Sequence, residues 1–455
     1  MQNNTNIREL VEHMINSSKP CSCGRDHTCR LSSFRVADTS SEKLIPEILD
    51  QYGVSRIHFI SSQPDMDVLG NRVLTYISSL SYHVTSSVFP PESEFVCDHV
   101  SAGDLLIHVP DDAQLIIAAG EKTICDLAKF VSSKDRIPFI FLPTSASTDT
   151  FSMSEAEFTE NDRRVRLQLS SPNVIVADLS VLQNAPMDKT ASGVSCVMAS
   201  LVSLADWRLH AEVTGSYFCQ VVFDELSSAI RQVLISMENG VSPRDRDLME
   251  DLISCLIACG ISSDICGTTA PIRGTESCFA RKAEMLLVSE NITGVSFETL
   301  RGISALYAVK LYEYLKKNVP SFESARAEFN DIDRVYLHKE LFRVFGDDEG
   351  HRILSSLGGE NYYQRAARLR RLDNLETHLG EYISLAVRPL LSSSRITSLL
   401  HSSSSPLSFR EVGLMDEEIA DVLVWGKELS KNYGIARLLA DLMLLEQAVS
   451  DTCRF

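Results

Sequence analysis

The sequence predicts an α/β domain followed by an all-helical domain, and two observations support this division. Up to about residue 180, short β-rich runs alternate with helical stretches, a pattern typical of a parallel sheet covered by helices. Beyond that point the apolar residues recur at helical spacing, and the sequence shows no strand pattern. We therefore divide the chain into an N-terminal segment with a Cys/His cluster, an α/β domain and a helical domain, at residues 1–35, 36–180 and 181–455.

The elements of the α/β part follow from local patterns of apolar residues. β-rich runs bounded by turn residues predict strands at 56–62, 82–90, 105–110, 115–120 and 138–143. Helical spacing predicts helices at 66–80 and 123–131. We expect a hairpin with a polar turn at 155–169, followed by a strand at 173–179. Near the C-terminus, residues 392–408 are rich in Ser and contain Pro406, which predicts a surface connection.

Composition and charge exclude several classes of protein. With 455 residues, of which 44% are hydrophobic, the chain can bury a sizeable core. Its formal net charge of −18 argues against nucleic acid as a partner, because such affinity depends on Lys and Arg neutralising phosphates. The one basic run, Arg365–Leu372, is interpreted as a solvated helix face or as ion pairs with nearby acids. Without a secretory signal pattern or an apolar run near the roughly 20 residues of a membrane span, we expect a cytoplasmic protein.

One group of cysteines stands apart from the others, which are scattered along the chain. Cys21, Cys23, His27 and Cys29 lie within nine residues of one another. Thiolates and imidazoles are the usual ligands of zinc, so this stretch is a candidate metal knuckle. The spacing is not a standard zinc pattern, however, and Cys-x-Cys ligands usually need partners from elsewhere in the chain. Metal binding and ordinary reduced thiols both remain open here.

Residues 116–130 predict a buried strand, a tight turn and the start of a helix. In α/β proteins this junction is where a glycine-rich loop lets backbone N–H groups approach the phosphates of a dinucleotide. Here the turn retains Gly120 but continues with Glu121 and Lys122. The junction is therefore either a working cofactor site or the remnant of one.

Several blocks together resemble the sn-glycerol-1-phosphate dehydrogenase family, which belongs to the wider dehydroquinate synthase and iron-containing alcohol dehydrogenase group. The blocks are "AAGEKTICDLAKF", "PFIFLPTSASTDTFS" (138–152), "PNVIVADLSVLQNAP" (172–186) and "SGVSCVMASLVSLADWRLHAEVTGSYFC" (192–219). At the two ends of the chain, "CSCGRDHT" and "SKNYGIARLLADL" (430–442) are also similar to family features. The resemblance implies a Rossmann-like α/β domain, a helical domain, and reduction of dihydroxyacetone phosphate with NAD or NADP. It also implies a divalent metal, zinc or nickel, which stabilises the developing alkoxide and is held by an Asp and two His.

Carried over residue by residue, the resemblance predicts that this metal site is degenerate. Cys196 stands at the position of the family's Asp ligand, while Ser277 and Tyr307 stand at the positions of its two His ligands. Ala270 replaces an Arg of the same motif, and the sequence has no histidine between His210 and His338. We therefore expect the family's metal to be absent. Cys278, beside Ser277, is the only nearby substitute, and with Cys196 it would still lack a clear third donor.

The same comparison predicts weak binding of NAD or NADP. The family's "GxGSGT" loop matches "AAGEKT", so Ala118 and Lys122 stand where glycines allow close backbone approach. Gly120 is kept, and Thr123 keeps the pattern from loop to helix; a simple N-terminal helix cap is the other interpretation of Thr123. Better-matched positions follow the next predicted strand: Thr144 and Ser147 match residues near the cofactor, and Asp149 matches the acid beside nicotinamide and substrate. These three side chains also fit an ordinary strand-end turn.

Three hypotheses follow from this pattern. The first is a catalytically impaired homologue, a pseudoenzyme that acts by binding a ligand or a partner such as an intact paralogous enzyme. The second is an active NAD(P)-dependent oxidoreductase with a rebuilt metal site, acting on dihydroxyacetone phosphate or a related small phosphorylated carbonyl. The third, an enzyme of the dehydroquinate synthase type, would need the same nicotinamide and metal and is the least favoured. The resemblance also implies a homo-oligomer.

Overall fold

The computed structural model describes residues 6–16, 20–91, 95–160, 163–327, 334–356 and 364–452. By compactness the chain divides into two units. The first comprises Met1–Val197 and Ser228–Thr268, and the second comprises Met198–Ser227 and Thr269–Phe455. The described residues contain no helix long and apolar enough to cross a membrane.

The first unit is built on a parallel sheet. The strands are β1 (Ser33–Ala37), β2 (Arg56–Ser62), β3 (His83–Phe89), β4 (Leu115–Gly120), β5 (Phe139–Pro143), β6 (Glu155–Glu160), β7 (Arg163–Gln168) and β8 (Val174–Asp178). Six of them form one sheet in the order β1-β8-β5-β4-β2-β3, with every neighbouring pair parallel. The other two, β6 and β7, form an antiparallel hairpin.

The burial of the strands matches their positions in the sheet. All residues of β4, β5 and β8 are buried, as expected for inner strands of a parallel sheet that is covered on both faces. The edge strand β3 is mostly half-buried or exposed. Apolar side chains of β2, β4 and β5 pack with helices on one face of the sheet, for example Phe59, Ile117 and Leu142. The carboxyl ends of the inner strands are thereby fixed at one edge of a rigid layer.

Helices cover the sheet and form the remainder of the chain. Those before the last strand are α1 (Ile7–Asn16), α2 (Ile45–Tyr52), α3 (Gln63–Asp65), α4 (Asn71–Ser78), α5 (His99–His108) and α6 (Lys122–Asp135). Those after it are α7 (Leu179–Asn184), α8 (Met187–Thr214), α9 (Gln220–Glu238), α10 (Arg246–Cys266), α11 (Thr275–Ser289), α12 (Phe297–Lys317), α13 (Phe322–Ala327), α14 (Arg334–Phe345), α15 (Asp347–Ser356), α16 (Arg365–Ala386), α17 (Ser393–Ser402), α18 (Asp416–Trp425), α19 (Ile435–Asp441) and α20 (Leu445–Thr452). A π-helical turn, Met66–Gly70, joins α3 to α4.

The predicted fold class is confirmed. The sheet is parallel, the predicted hairpin at 155–169 is present, and no strand follows Asp178 in the described part of the chain. One strand prediction is wrong, because most of the run at 105–110 lies in α5. Asp98 caps this helix by accepting a hydrogen bond from the Ser101 N–H at 2.8 Å, so the helix is already established when the β-like run begins.

The prediction of a surface connection at 392–408 is also wrong for most of that stretch, which forms α17. Ser392 accepts a hydrogen bond from the Arg395 N–H at 3.4 Å and caps the helix. The buried apolar side chains of α17 recur at helical spacing: Ile396, Leu399 and Leu400. Here the serine content reflects a cap and the solvent-facing side of a helix.

Candidate functional site

The order of the strands identifies the edge of the sheet where a ligand is expected. From β2 the chain moves to β3 on one side and then returns to β4 on the other side of β2. Ligands of open α/β sheets bind at such a reversal, outside the carboxyl ends of the strands. The ends of β2 and β4 therefore define the candidate site, which lies within the first unit.

A cavity of about 580 Å³ occupies this place. Its lining comes from segments that follow β2, β4, β5 and β8, and it includes Asp65, Arg72, Glu121, Thr144 and Lys189. Two acids and two bases therefore face a space of the size that small-molecule sites commonly have.

Asp65 fixes the geometry at the base of this site. Its buried carboxylate accepts hydrogen bonds from the Ser62 hydroxyl at 2.5 Å and from the Thr144 hydroxyl at 2.7 Å. A Cβ atom at Gly120 would lie 2.8 Å from the Asp65 Oδ2 and 2.9 Å from the Ile124 Cβ. Gly120 is therefore required by the packing of this chain itself, whether or not a nucleotide approaches the turn.

Glu121 places a negative charge at the start of α6. Its carboxylate accepts a hydrogen bond from the Ser147 hydroxyl at 3.0 Å and lies 3.8 Å from the Lys189 ammonium. The beginning of a helix favours an anion, because its first N–H groups have no partner within the helix. This chain therefore supplies an anion of its own beside the cavity.

The next residue, Lys122, is held on the other side of the turn. Its ammonium lies 2.9 Å from an Asp126 carboxylate oxygen and 3.2 Å from one of Glu157. Asp126 is buried and also accepts from the Lys129 ammonium and the Glu157 N–H. The charge of Lys122 is therefore already compensated within its own unit. Thr123 follows it in the first turn of α6 and is half-buried.

Asp149 lies deeper in the loop after β5, with 1% of its surface exposed. The backbone of this loop is closely approached by α10, since a Cβ atom at Gly260 would lie 2.6 Å from the Asp149 carbonyl oxygen. The first unit thus brings Gly120, Thr144 and Ser147 together through Asp65 and Glu121, while Asp149 is enclosed by protein.

Ser277, one of the predicted degenerate ligand positions, lies in α11 of the second unit. Its hydroxyl donates to the buried carboxylate of Glu276 at 2.7 Å, and the Ser203 hydroxyl donates to the same oxygen at 2.8 Å. The Arg301 guanidinium lies 3.6 Å from that oxygen, with both side chains fully buried. The preceding segment contains the buried residue Ala270. Ser277 therefore takes part in a polar network centred on Glu276.

The aromatic ring of Tyr307 packs in the core of the second unit. It stacks on the ring of Phe409 with a centroid distance of 5.2 Å and an angle of 7° between the planes. The Lys310 ammonium lies 5.5 Å from the ring centroid. In the first unit, Cys196 is buried in α8. A serine hydroxyl and a tyrosine phenol at these positions do not fit the donor set of a zinc or nickel ion, which is made from imidazole, thiolate and carboxylate groups.

A second buried acid of this unit was not singled out by the sequence as a site residue. Asp206 accepts hydrogen bonds from the Thr275 N–H at 2.7 Å, the Tyr312 hydroxyl at 2.7 Å and the Ile435 N–H at 3.0 Å. Burial raises its pKa to about 6, against the opposing effect of these hydrogen bonds. The only local signal is an aspartate within an otherwise apolar helical run. The carboxylate joins α8, α11, α12 and α19.

The N-terminal Cys/His group is partly brought together by the fold. The ligand atoms of Cys21, Cys23 and His27 lie within 4.8 Å of one another, and the Cys23 sulfur lies 3.3 Å from the His27 Nε2. Cys29 is not a member of this group. Burial raises the pKa of the Cys29 thiol to about 12.

Comparison with known proteins is consistent with this architecture. The family model described as iron-containing alcohol dehydrogenase matches residues 37–186. Glycerol-1-phosphate dehydrogenase (NAD(P)+) of Bacillus licheniformis is 25% identical over 311 residues, which cover 68% of this chain and 77% of the relative. The enzyme of the same name from Halalkalibacterium halodurans is 23% identical over 382 residues, which cover 80% and 93% of the two chains.

Solved structures show the same fold. Glycerol dehydrogenase from Schizosaccharomyces pombe matches with a TM-score of 0.59 at 12% identity, covering 94% of this chain and 92% of that one. An iron-containing alcohol dehydrogenase from Corynebacterium glutamicum matches with a TM-score of 0.57 at 14% identity, covering 93% and 96%. The fold is thus the one shared by the iron-containing alcohol dehydrogenases. The family model and these relatives confirm the resemblance of the sequence motifs to the sn-glycerol-1-phosphate dehydrogenase family.

Proposed function

We propose that this chain is a catalytically impaired homologue of glycerol-1-phosphate dehydrogenase, a cytoplasmic pseudoenzyme that acts by binding a ligand or a partner. The observation that carries the proposal is the set of contacts made by Ser277 and Tyr307, the two residues that the motif comparison assigns to the family's histidine positions. Ser277 donates to Glu276, and Tyr307 stacks on Phe409. Neither side chain offers the imidazole nitrogen that the family's metal needs.

The loss of the metal would remove the main source of catalysis in this family. A bound divalent ion stabilises an alkoxide that forms as a carbonyl accepts hydride, and this effect is worth several kcal/mol. Each 1.4 kcal/mol of transition-state stabilisation lost costs about tenfold in rate. A chain with Cys196, Ser277 and Tyr307 at the three ligand positions is therefore expected to be close to inactive as a dehydrogenase.

The phosphate-binding junction supports weak rather than tight binding of NAD or NADP. The Glu121 carboxylate lies at the start of α6 and is engaged by Ser147 and Lys189. A pyrophosphate approaching the same helix end would meet this negative charge. Lys122 does not offset it, because Asp126 and Glu157 already hold its ammonium group.

The cavity at the carboxyl ends of the strands is nevertheless present, which supports binding as the retained activity. It has a volume of about 580 Å³ and presents Arg72 and Lys189 beside the two acids Asp65 and Glu121. Such a mixed lining suits a small polar ligand better than a dinucleotide. We propose that ligand binding here, or assembly into a homo-oligomer or with an intact paralogous enzyme, is what the chain contributes.

One assay tests the proposal directly. The unmodified protein is mixed with zinc or nickel, NADH or NADPH, and dihydroxyacetone phosphate, and nucleotide absorbance is followed. We expect a rate near the background without protein, because the transition state lacks its metal. An active glycerol-1-phosphate dehydrogenase under the same conditions is the positive control.

Robust metal-dependent turnover by the unmodified chain would overturn the proposal. It would establish the alternative, an active NAD(P)-dependent oxidoreductase that reduces dihydroxyacetone phosphate or a related small phosphorylated carbonyl with a rebuilt metal site. Nucleotide binding without turnover would instead agree with a binding protein that has kept part of its cofactor site.

A further inference from the structure

A short loop in the first unit gathers three soft donor groups. The Pro20 and Asp26 backbones form an isolated antiparallel bridge, which closes the loop at its base. Within it, the Gly24 N–H donates to the Cys21 carbonyl at 2.9 Å, and the Cys21 N–H donates to the Arg25 carbonyl at 3.2 Å. Gly24 has a φ of +82°, a conformation that glycine adopts readily. These bonds produce a tight turn that carries Cys21 and Cys23 on the same loop.

The loop is attached to the body of its unit. The Arg25 guanidinium donates to the carbonyl of Cys266, the last residue of α10, at 2.7 Å. His27, which follows the bridge, is buried. The position of the imidazole is therefore set by packing as well as by the turn, and the donor groups are arranged before any ion binds.

The distances match the dimensions of a zinc site. Bonds of about 2.3 Å to sulfur and 2.1 Å to nitrogen place the two atoms about 3.6 Å apart at neighbouring corners of a tetrahedron. The Cys23 sulfur lies 3.3 Å from the His27 Nε2, and the ligand atoms of Cys21, Cys23 and His27 all lie within 4.8 Å of one another. Only small side-chain movements separate this arrangement from a coordinated ion.

We infer that Cys21, Cys23 and His27 bind a zinc ion, through the two sulfurs and the His27 Nε2. Two thiolates and one imidazole favour zinc over magnesium or calcium, which prefer oxygen ligands. These three groups leave the fourth tetrahedral position to a further donor. This site uses none of the residues at the family's Asp/His/His positions, and the inference does not depend on the proposed loss of catalysis.

Zinc binding releases the two thiol protons to solvent and involves no oxidation or reduction. Each thiol loses its proton as the sulfur bonds to Zn²⁺, and the His27 imidazole binds through Nε2 while its Nδ1 retains a proton. In the described part of the chain the cysteines form no disulfides, so both thiols can act as ligands. The expected role is structural, since the ion would fix the loop that Arg25 ties to α10.

The test measures the zinc content of the full chain after reloading with zinc and removal of weakly bound ions by a mild chelator. We expect about one zinc ion per chain that survives this treatment. Cys23→Ser and His27→Ala should each lower the content at least about tenfold. Cys29→Ser is the matched control, since it removes a thiol of the same segment that lies outside the group.

Two further variants separate loss of zinc from loss of fold and from binding elsewhere. His27→Cys should keep the ion and, with Co²⁺ in place of zinc, strengthen the near-ultraviolet band of thiolate-to-metal charge transfer. Cys196→Ala should leave the zinc content unchanged. Less than about a tenth of an ion on the unmodified chain would overturn the inference. So would zinc that is lost with Cys196→Ala but kept with Cys23→Ser, because the ion would then lie at the family's own position.

Discussion

Asp206 links the stability of the second unit to pH. Its carboxylate receives two backbone N–H groups and the Tyr312 hydroxyl, yet burial dominates and raises its pKa from 3.8 to about 6. The folded state therefore keeps this proton at pH values where the unfolded chain has lost it. The associated stability is fully present below about pH 4 and is lost as pH rises to about 6. The size of this loss is about 3 kcal/mol.

The Asp206→Asn variant tests this coupling. An amide cannot ionise, so the variant should show a shallower fall of unfolding free energy between about pH 4 and pH 6, by as much as about 1.4 kcal/mol per pH unit. It should also be less stable overall, because the amide NH₂ cannot accept a bond from one of the two backbone donors. Urea unfolding across this pH range measures both effects. If the unfolding free energies of wild type and variant change equally with pH, Asp206 does not titrate in this pH range.

At the scale of single residues, the sequence did not predict which groups contact the side chains of the candidate site. Gly120 was singled out as a place of close backbone approach, and it is one, although the group that approaches is the Asp65 carboxylate. Lys122 was predicted to stand at a glycine position of the cofactor loop, and its ammonium lies between Asp126 and Glu157. Asp126 is nearby in sequence, but Glu157 lies on β6. Pairings of this kind depend on tertiary packing, which one sequence does not reveal.

The helix α6 is joined to the loop after β5 by a buried lysine. Lys129 has no exposed surface, and its ammonium donates to the Thr150 carbonyl at 2.7 Å and to the Glu155 carbonyl at 2.9 Å. It also lies 3.3 Å from an Asp126 oxygen, which gives the charge an opposite partner. A cation in this position satisfies three acceptors that would otherwise lie buried without a donor.

We expect Lys129→Met to destabilise the first unit by about 3–5 kcal/mol, because it leaves the Thr150 and Glu155 carbonyls without this donor and removes one of the two cations beside Asp126. Thermal or urea unfolding measures this loss. Lys134→Met is the matched control, since Lys134 lies on the same helix but is exposed, and it should change stability by less than about 0.5 kcal/mol. Equal effects of the two substitutions would show that the buried network contributes little.

At the scale of elements, local patterns predicted the inner strands well because burial on both faces makes them continuous apolar runs. β4 and β5 are of this kind, and their predicted bounds were close to those observed. The run at 105–110 has similar composition but lies mostly in α5, where Leu105 is buried and Ile107 is 82% exposed. Short apolar runs do not separate helix from strand by themselves, and the cap at Asp98 decides the outcome.

The basic run in α16 shows the same dependence on tertiary contacts. Arg368 is buried and donates to the Asp441 carbonyl at 2.5 Å, while Arg371 pairs with the Asp441 carboxylate at 2.7 Å. Ion pairing with nearby acids was one of the two interpretations of this run. Its partner lies about 70 residues further along the chain, so the sequence indicated the type of contact without identifying the acid.

At the scale of the whole molecule, two sources of negative charge oppose nucleotide binding: the net charge of the chain and the single carboxylate of Glu121. The chain carries a formal net charge of −18, which disfavours anionic ligands generally but is screened over about 8–10 Å at physiological salt. Glu121 acts at short range, since it lines the cavity at the start of α6. The local charge should therefore dominate the affinity for a pyrophosphate, and the net charge should matter little.

Titration with NAD and NADP distinguishes the two contributions. The unmodified chain should bind weakly or not at all, and Glu121→Gln should improve binding roughly tenfold by removing the charge while keeping the shape of the side chain. Glu160→Gln changes the net charge equally at an exposed position outside the cavity lining and should have almost no effect. Isothermal titration calorimetry at two salt concentrations measures the affinity of the unmodified chain and of both variants for each nucleotide. Tight binding by the unmodified chain, or equal gains from the two substitutions, would show that Glu121 does not block the site, because a local charge cannot act identically from two different places.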